Sequence, residues 1–227
     1  MQSISEFAGK LLALIKLFPG TFYQGMREGH LFRDVETICL FIGYPRSGHT
    51  LIGSLLDAHP NAVIAHELDF LRFVYAHFFR RQLYALLLEN SRKAADQGAF
   101  WSGYSYAVPG QWQGRLQRIK VIGDKHGEAT TVRLHLSPWL LDRLACVVGR
   151  RIKMLHVIRN PFDNIATIAR KNHTINSQVL KGRNDTLQDS IDYYFTLCDT
   201  VAGVQQQRGK DVLDVRHESF VVSPQAE

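Results

Sequence analysis

From Thr37 to Ile42 the chain is nearly unbroken apolar sequence, Ile38-Cys39-Leu40-Phe41-Ile42, rich in β-branched and aromatic residues. That is the pattern of a buried strand. A turn bounded by Gly43 and Gly48 follows, with Pro45 inside it, and Leu51, Ile52, Leu55 and Leu56 then recur at helical spacing. Strand, glycine-rich turn and helix are expected in that order. Ahead of this unit, apolar Phe7, Leu11, Leu12, Leu14, Ile15, Leu17 and Phe18 predict a helix over 1–18, stopped by Pro19-Gly20. Beyond it, Pro60 ends the second helix. Residues 62–65 then read as a short strand, and 70–89 as one longer helix dense in Phe, Tyr, Leu and Arg.

The alternation continues. Residues 90–117 are the least regular. They carry Trp101, Tyr104, Tyr106, Trp112, Gly103 and Gly110, which suits either a pocket wall or a packed surface loop. A strand is expected over 118–125, and a helix opened by Ser137-Pro138 runs to about Gly149. A buried strand over 152–158 stops at Arg159-Asn160-Pro161, where the proline starts another helix. Residues 173–184 are polar and basic, and are expected to be mobile. A helix over 185–207, with Ile191, Phe195, Cys198, Val201 and Ala202 on its inward face, leads to a last strand over 212–215. Strands alternating with helices predict an α/β fold, a central parallel sheet with helices on both faces. The expected organisation is an N-terminal helical segment, 1–36, packing on a domain that spans 37–227.

Composition narrows the partners. The 227 residues, 45% hydrophobic and 21% charged, are enough for one full core. A net charge of +6 favours an anionic partner: a nucleotide, a sulfated or phosphorylated substrate, nucleic acid or a membrane surface. Cys39, Cys146 and Cys198 are few and widely spaced, and each lies in an apolar or helical pattern. They read as reduced, buried thiols without metal spacing. No apolar stretch is long enough to span a bilayer, and Lys10 and Lys16 make the opening helix a poor signal peptide. The expectation is a cytoplasmic protein without an integral membrane segment. The opening helix suits docking on its own domain, on a partner or on a membrane surface.

The central turn reads Gly43-x-x-x-x-Gly48-His49-Thr50, one residue away from the phosphate-binding pattern G-x-x-x-x-G-K-[ST]. Its backbone N–H groups and the following helix N-terminus form an anion cradle, which Arg46 and the Ser47 and Thr50 hydroxyls complete. The predicted sheet is therefore of P-loop type. Neutral His49 cannot supply the constant charge of the usual lysine, so the arginine has to. Glu67 follows the strand at 62–65 and is placed to face the same crevice. Asp124 ends another strand and leaves open a small-molecule kinase with Mg²⁺ on that carboxylate. Arg159, at the end of the strongest strand, suits a second anionic group better than a metal.

Tyr44-Pro45-Arg46-Ser47-Gly48-His49-Thr50-Leu51 resembles the 5′-phosphosulfate loop of sulfotransferases that use PAPS (3′-phosphoadenosine 5′-phosphosulfate). Arg159-Asn160-Pro161-Phe162-Asp163 through Thr167 resembles their 3′-phosphate motif, with threonine for the usual serine. Val215-Arg216-His217-Glu218-Ser219-Phe220 through Pro224 is similar to their late strand segment. Leu55-Leu56-Asp57-Ala58-His59-Pro60 followed by His66-Glu67 is most similar to tyrosylprotein sulfotransferases and their bacterial relatives. The resemblance covers about Thr37 to Pro224. It implies PAPS as co-substrate and no metal. It makes Glu67 the catalytic base, with His66 as the rival, and Arg46 and Lys125 stabilisers of the transferring group. Tyr44, Pro45, Arg46, Ser47, Gly48, His49, Thr50, Leu51, Arg159 and Thr167 are implied as cofactor-binding, with Arg170 and Lys171 assisting. The usual threonine is replaced by His49. Family members continue past this point into a basic segment, so a domain short at its C-terminal end is expected. The implied acceptor is a hydroxyl or amine of a small molecule, glycan or peptide, not nucleic acid. The alternatives are the kinase and a non-catalytic nucleotide- or acidic-ligand-binding remnant of the same fold.

Overall fold

The elements run α1 (Ile4–Arg27), β1 (Thr37–Gly43), α2 (His49–Asp57), β2 (Ala62–Ala65), α3 (Leu71–Tyr75), α4 (Arg80–Asp96), β3 (Phe100–Trp101), β4 (Tyr104–Ser105), β5 (Val121–Asp124), α5 (Gly127–Leu136), α6 (Leu140–Val148), β6 (Arg151–Ile158), α7 (Pro161–Arg170), α8 (Leu187–Arg208), β7 (Val212–Arg216) and α9 (His217–Val222). This computed structural model describes residues 4–170, 179 and 186–225, without the side chains of 4–8, 10 and 11. Lys171 and the segment 173–184, apart from Val179, lie outside the described residues.

Five strands form one sheet in the order β2-β5-β1-β6-β7, with every pairing parallel. β1 is central because its side chains are apolar on both faces. Ile38, Leu40 and Ile42 enter the main core, while Cys39 and Phe41 enter a smaller cluster on the other face. Burying each large apolar side chain contributes roughly 1.5–3 kcal/mol. The leucine-rich α4, with α5 and α8, covers the main face; Ile52 and Leu56 of α2 and Phe220 of α9 pack on the other. At Gly123 the strands approach so closely that a Cβ would lie 1.8 Å from the Cys39 carbonyl oxygen, which accounts for a glycine inside a strand. Strand order reverses around β1. Open α/β sheets hold ligands at that point, beyond the carboxyl ends of the strands.

Several expectations are corrected. Pro19 does not stop the first helix, which continues to Arg27. Proline forfeits the hydrogen bond to the carbonyl four residues back, and that carbonyl belongs to Ile15, on the exposed side of the helix. On the inner side, Gln82 Nε2 donates to the Phe18 carbonyl at 2.9 Å and holds the chain against α4. The helix expected over 70–89 is two helices. His77 adopts φ 65, the Phe78 N–H closes on the Phe73 carbonyl at 3.1 Å, and the Gln82 side chain caps the Phe79 N–H at 2.9 Å. Ser137 ends α5 rather than capping α6. On α8 the buried residues are Ser190, Tyr193, Tyr194, Leu197, Val201 and Val204; Phe195 is exposed. Cys146 is exposed and Cys198 half-buried, so only Cys39 is a buried thiol; all three are free. No described helix is long and apolar enough to cross a membrane.

Candidate active site

The turn after β1 is built for an anion. Arg46 and Gly48 take positive φ values of 67 and 95, which curls the chain. Among the described residues, no protein group accepts the backbone N–H of Arg46, Ser47, Gly48, His49 or Thr50. Consecutive free amides at a helix start form an anion-binding concavity. Ser47 is buried, contrary to its expected role in the cradle. Its hydroxyl donates to the Tyr44 carbonyl at 3.1 Å and accepts from Asn164 Nδ2 at 2.9 Å, so it braces the loop from behind. The Tyr44 side chain is also internal, with its hydroxyl 3.2 Å from His156 Nε2. Thr131 Oγ1 on α5 accepts the Gly43 N–H at 2.8 Å and fixes the start of the turn.

Glu67 and Lys125 meet across the crevice. Lys125 Nζ lies 2.9 Å from Glu67 Oε1, 2.8 Å from Thr50 Oγ1 and 5.3 Å from the Trp101 ring centre. Burial pulls the Lys125 ammonium below its usual range, against the opposing pull of Glu67. Burial pushes Glu67 up, but the Lys125 charge and hydrogen bond outweigh it, so its carboxyl sits below the usual range and is ionised at neutral pH. Asp124 positions Glu67. Its buried carboxylate accepts the N–H groups of Leu68 (3.1 Å), Phe70 (2.9 Å) and His126 (3.3 Å), shaping the segment in which Glu67 adopts φ 58. With those oxygens engaged inside the protein, Asp124 does not face the cleft as a Mg²⁺ ligand.

The carboxyl ends of all five strands supply one cleft of about 430 Å³. It is lined by Pro45 to Leu51 after β1, Glu67 after β2, Lys125 to Glu128 after β5, Arg159 after β6 and His217 after β7. Arg159 Nη1 donates to the Arg46 carbonyl at 2.9 Å, and its guanidinium stands 3.8 Å from the Asp163 carboxylate. Arg46 has no carboxylate partner among the described residues. Tyr44 and Thr167 are not part of the lining, and the Thr167 hydroxyl donates to the Asp163 carbonyl at 2.7 Å. The β3–β4 hairpin of the aromatic insert brings Trp101 and Tyr104 into the lining of the cleft, together with Tyr106, whereas Trp112 stays outside it. His66 lies under Trp101, ring centres 4.8 Å apart, with its Nε2 buried and, among the described residues, unpartnered. His217 presses so closely on Gly48 that a Cβ there would be 2.2 Å from its ring. It was missed as a cleft residue, although the strand-end rule that singled out Arg159 applies equally to it.

This is the fold of sulfotransferase domains. Solved structures share it. The sulfotransferase domain from the Synechococcus PCC 7002 olefin synthase is 15% identical, with a TM-score of 0.50, over 85% of this chain and 70% of that one. The sulfotransferase domain from the curacin biosynthetic pathway is 15% identical, with a TM-score of 0.53, over 85% of this chain and 71% of that one. No protein-family model matches the chain, and no curated protein does.

The His49 side chain is buried at the wall of the cleft. Its ring packs edge-on to Phe41 and close over Gly127, and among the described residues Nε2 has no partner. Burial, assisted by the Lys125 charge, pushes its pKa down to about 3. The unfolded chain takes up this proton near 6.5, so the contribution to stability is complete above that pH and is lost as pH falls towards 3. Asp57, pushed up to about 6 by burial, works in the opposite direction between 6 and 3.8. His49→Gln should therefore lower the slope of unfolding free energy against pH by about 1.4 kcal/mol per unit between about pH 6 and 4, leaving the opposite slope of Asp57 exposed. Urea denaturation of both proteins across that range measures the difference.

Proposed function

We propose that the cleft binds PAPS and transfers its sulfuryl group to an acceptor hydroxyl or amine. The observation that carries this reading is that the Arg46 loop, Arg159 and the Glu67–Lys125 pair line one cleft. Five free amides and two guanidinium groups fit an adenosine carrying phosphates at both ends of its ribose. The loop amides and Arg46 hold the 5′-phosphosulfate, and Arg159 grips the 3′-phosphate with a planar, two-pronged donor set. Thr167 takes no part unless its hydroxyl leaves the Asp163 carbonyl.

The reaction forms a bond from the acceptor oxygen or nitrogen to sulfur and breaks the bond from sulfur to the bridging phosphate oxygen. Adenosine 3′,5′-bisphosphate leaves. Glu67 accepts the acceptor's proton, a role worth roughly 10²–10⁴ in rate. Lys125 stabilises charge on the sulfuryl and bridging oxygens. As its ammonium turns to those oxygens its hold on Glu67 weakens, and the carboxylate becomes more basic when the proton arrives. The acceptor, a small molecule, glycan or peptide, enters beside Trp101, Tyr104 and Tyr106.

Transfer of labelled sulfate from PAPS to a panel of phenols, sugars and peptides tests the reading. The expected result is metal-independent transfer that falls to background in Arg46→Ala. Binding of adenosine 3′,5′-bisphosphate without transfer to any acceptor would mark a non-catalytic binding module. Mg²⁺-dependent ATP binding in its place would restore the kinase.

A further inference from the structure

A second surface, away from the cleft, has its own chemistry. α1 is apolar on two sides. Leu14 and Phe18 pack into the core beside buried Thr21 and Gly25, and a Cβ at Gly25 would lie 2.8 Å from the Arg81 backbone. A separate stripe, Leu12, Ile15, Pro19, Phe22 and Met26, recurs at helical spacing and is solvent-exposed, with Ile15 and Met26 each 59% accessible. Phe79 extends it, its ring 6.4 Å from Phe22. A groove of about 760 Å³ runs between this stripe and residues 77–82, and Arg143 and Val147 close its far side.

The rim is cationic. Lys16 and Arg27 lie on α1 along one edge, and Arg80, Arg81 and Arg143 line the other. Neither 12–27 nor 70–88 contains an aspartate or glutamate. Among the described residues Lys16, Arg80, Arg81 and Arg143 have no carboxylate partner, and Glu28 at the end of the helix is buried against Arg92 at 3.0 Å. An apolar stripe bordered by one sign of charge is suited to the boundary between headgroups and acyl chains.

We propose that this face docks the protein on a bilayer surface containing anionic lipid. The stripe lies along the interface, and the arginines and lysines meet lipid phosphates. A second copy of the chain is the poorer occupant, because pairing the stripe with itself brings two cationic rims together.

Flotation of the full chain with vesicles provides the test. Vesicles of phosphatidylcholine with 30% phosphatidylglycerol should bind it at least tenfold better than phosphatidylcholine alone, since each basic residue near an anionic surface contributes about 1 kcal/mol (~5-fold). Binding should weaken as salt rises. Ile15→Glu/Met26→Glu alters two exposed positions, so its circular dichroism and melting midpoint should match the parent protein while vesicle binding disappears. Arg80→Glu/Arg81→Glu should reduce binding at least tenfold. Binding to neither vesicle, or equal binding to both, overturns the proposal. So does a dimer in sedimentation equilibrium that the Ile15→Glu/Met26→Glu variant dissolves.

Discussion

Glu67→Gln should lower sulfuryl transfer by about a hundredfold or more and also destabilise the fold. Adding Lys125→Met should restore the stability without restoring the transfer. The reason is the burial of the pair. The Lys125 side chain is 1% exposed, and Glu67 is its carboxylate partner. Replacing that carboxylate by an amide leaves a buried ammonium without its counter-charge, with neutral acceptors alone: the new amide oxygen and the Thr50 hydroxyl, at 2.8 Å. Breaking a buried pair from one side costs roughly 3–5 kcal/mol, whereas replacing the charge by an apolar chain of similar length is close to neutral. Urea unfolding of the parent, both single variants and the double variant closes the cycle, and initial rates at saturating PAPS give the transfer. Full activity in Glu67→Gln would remove Glu67 as the base and leave His66 as the candidate. The pH profile adds a second reading. Lys125 holds the Glu67 carboxyl below 4.5, so kcat/KM should not fall with acid until the pH is below that value.

Much of this site was legible because the chemistry follows the topology. Each parallel strand ends at the same edge of the sheet, so any charged residue just past an apolar run is a candidate for the cleft. That logic found Glu67 and Arg159, and the resemblance added Lys125; the cleft does bring the three together. What it did not reveal is which side chains turn inward. Ser47 and His49 belong to the loop motif, yet Asn164 and Gly127 give them places in the interior. The partners that decide this lie more than 75 residues away and leave no local pattern. α5 was not anticipated at all, because Thr130, Thr131 and Val132 have poor helix propensity; packing against β1 and α8 holds it. The break at His77 carries no glycine or proline; the bond from the Phe78 N–H to the Phe73 carbonyl that closes it is local, but the Phe18 ring against which Phe78 packs is distant in sequence. The aromatic insert was readable as a pocket wall or a loop. The β3–β4 hairpin makes it both, with Trp101 over Lys125 and Phe100 exposed.

Arg159→Ala should weaken binding of adenosine 3′,5′-bisphosphate by about a hundredfold, the scale of a lost charge-assisted pair of hydrogen bonds, and leave adenosine 5′-monophosphate almost unaffected. The difference between the two ligands isolates the 3′-phosphate. It also separates two roles of one side chain, because Arg159 Nη1 holds the Arg46 carbonyl at 2.9 Å while Arg46 sits at φ 67. An L-residue in that left-handed region is strained by roughly 1–2 kcal/mol, and the Arg159 hydrogen bond helps to keep it there. If Arg159 acts only through the loop, the variant should lose affinity for both ligands equally, since the loop serves the 5′ end that they share. If it grips the 3′-phosphate directly, the ratio of affinities should collapse towards one. Arg159→Lys keeps the charge but not the planar fork, so it should recover only part of that ratio. Isothermal titration of both nucleotides against the three proteins measures it. Equal losses for the two ligands would leave the cleft with one cradle instead of two, and PAPS would no longer be the ligand that its charges best explain.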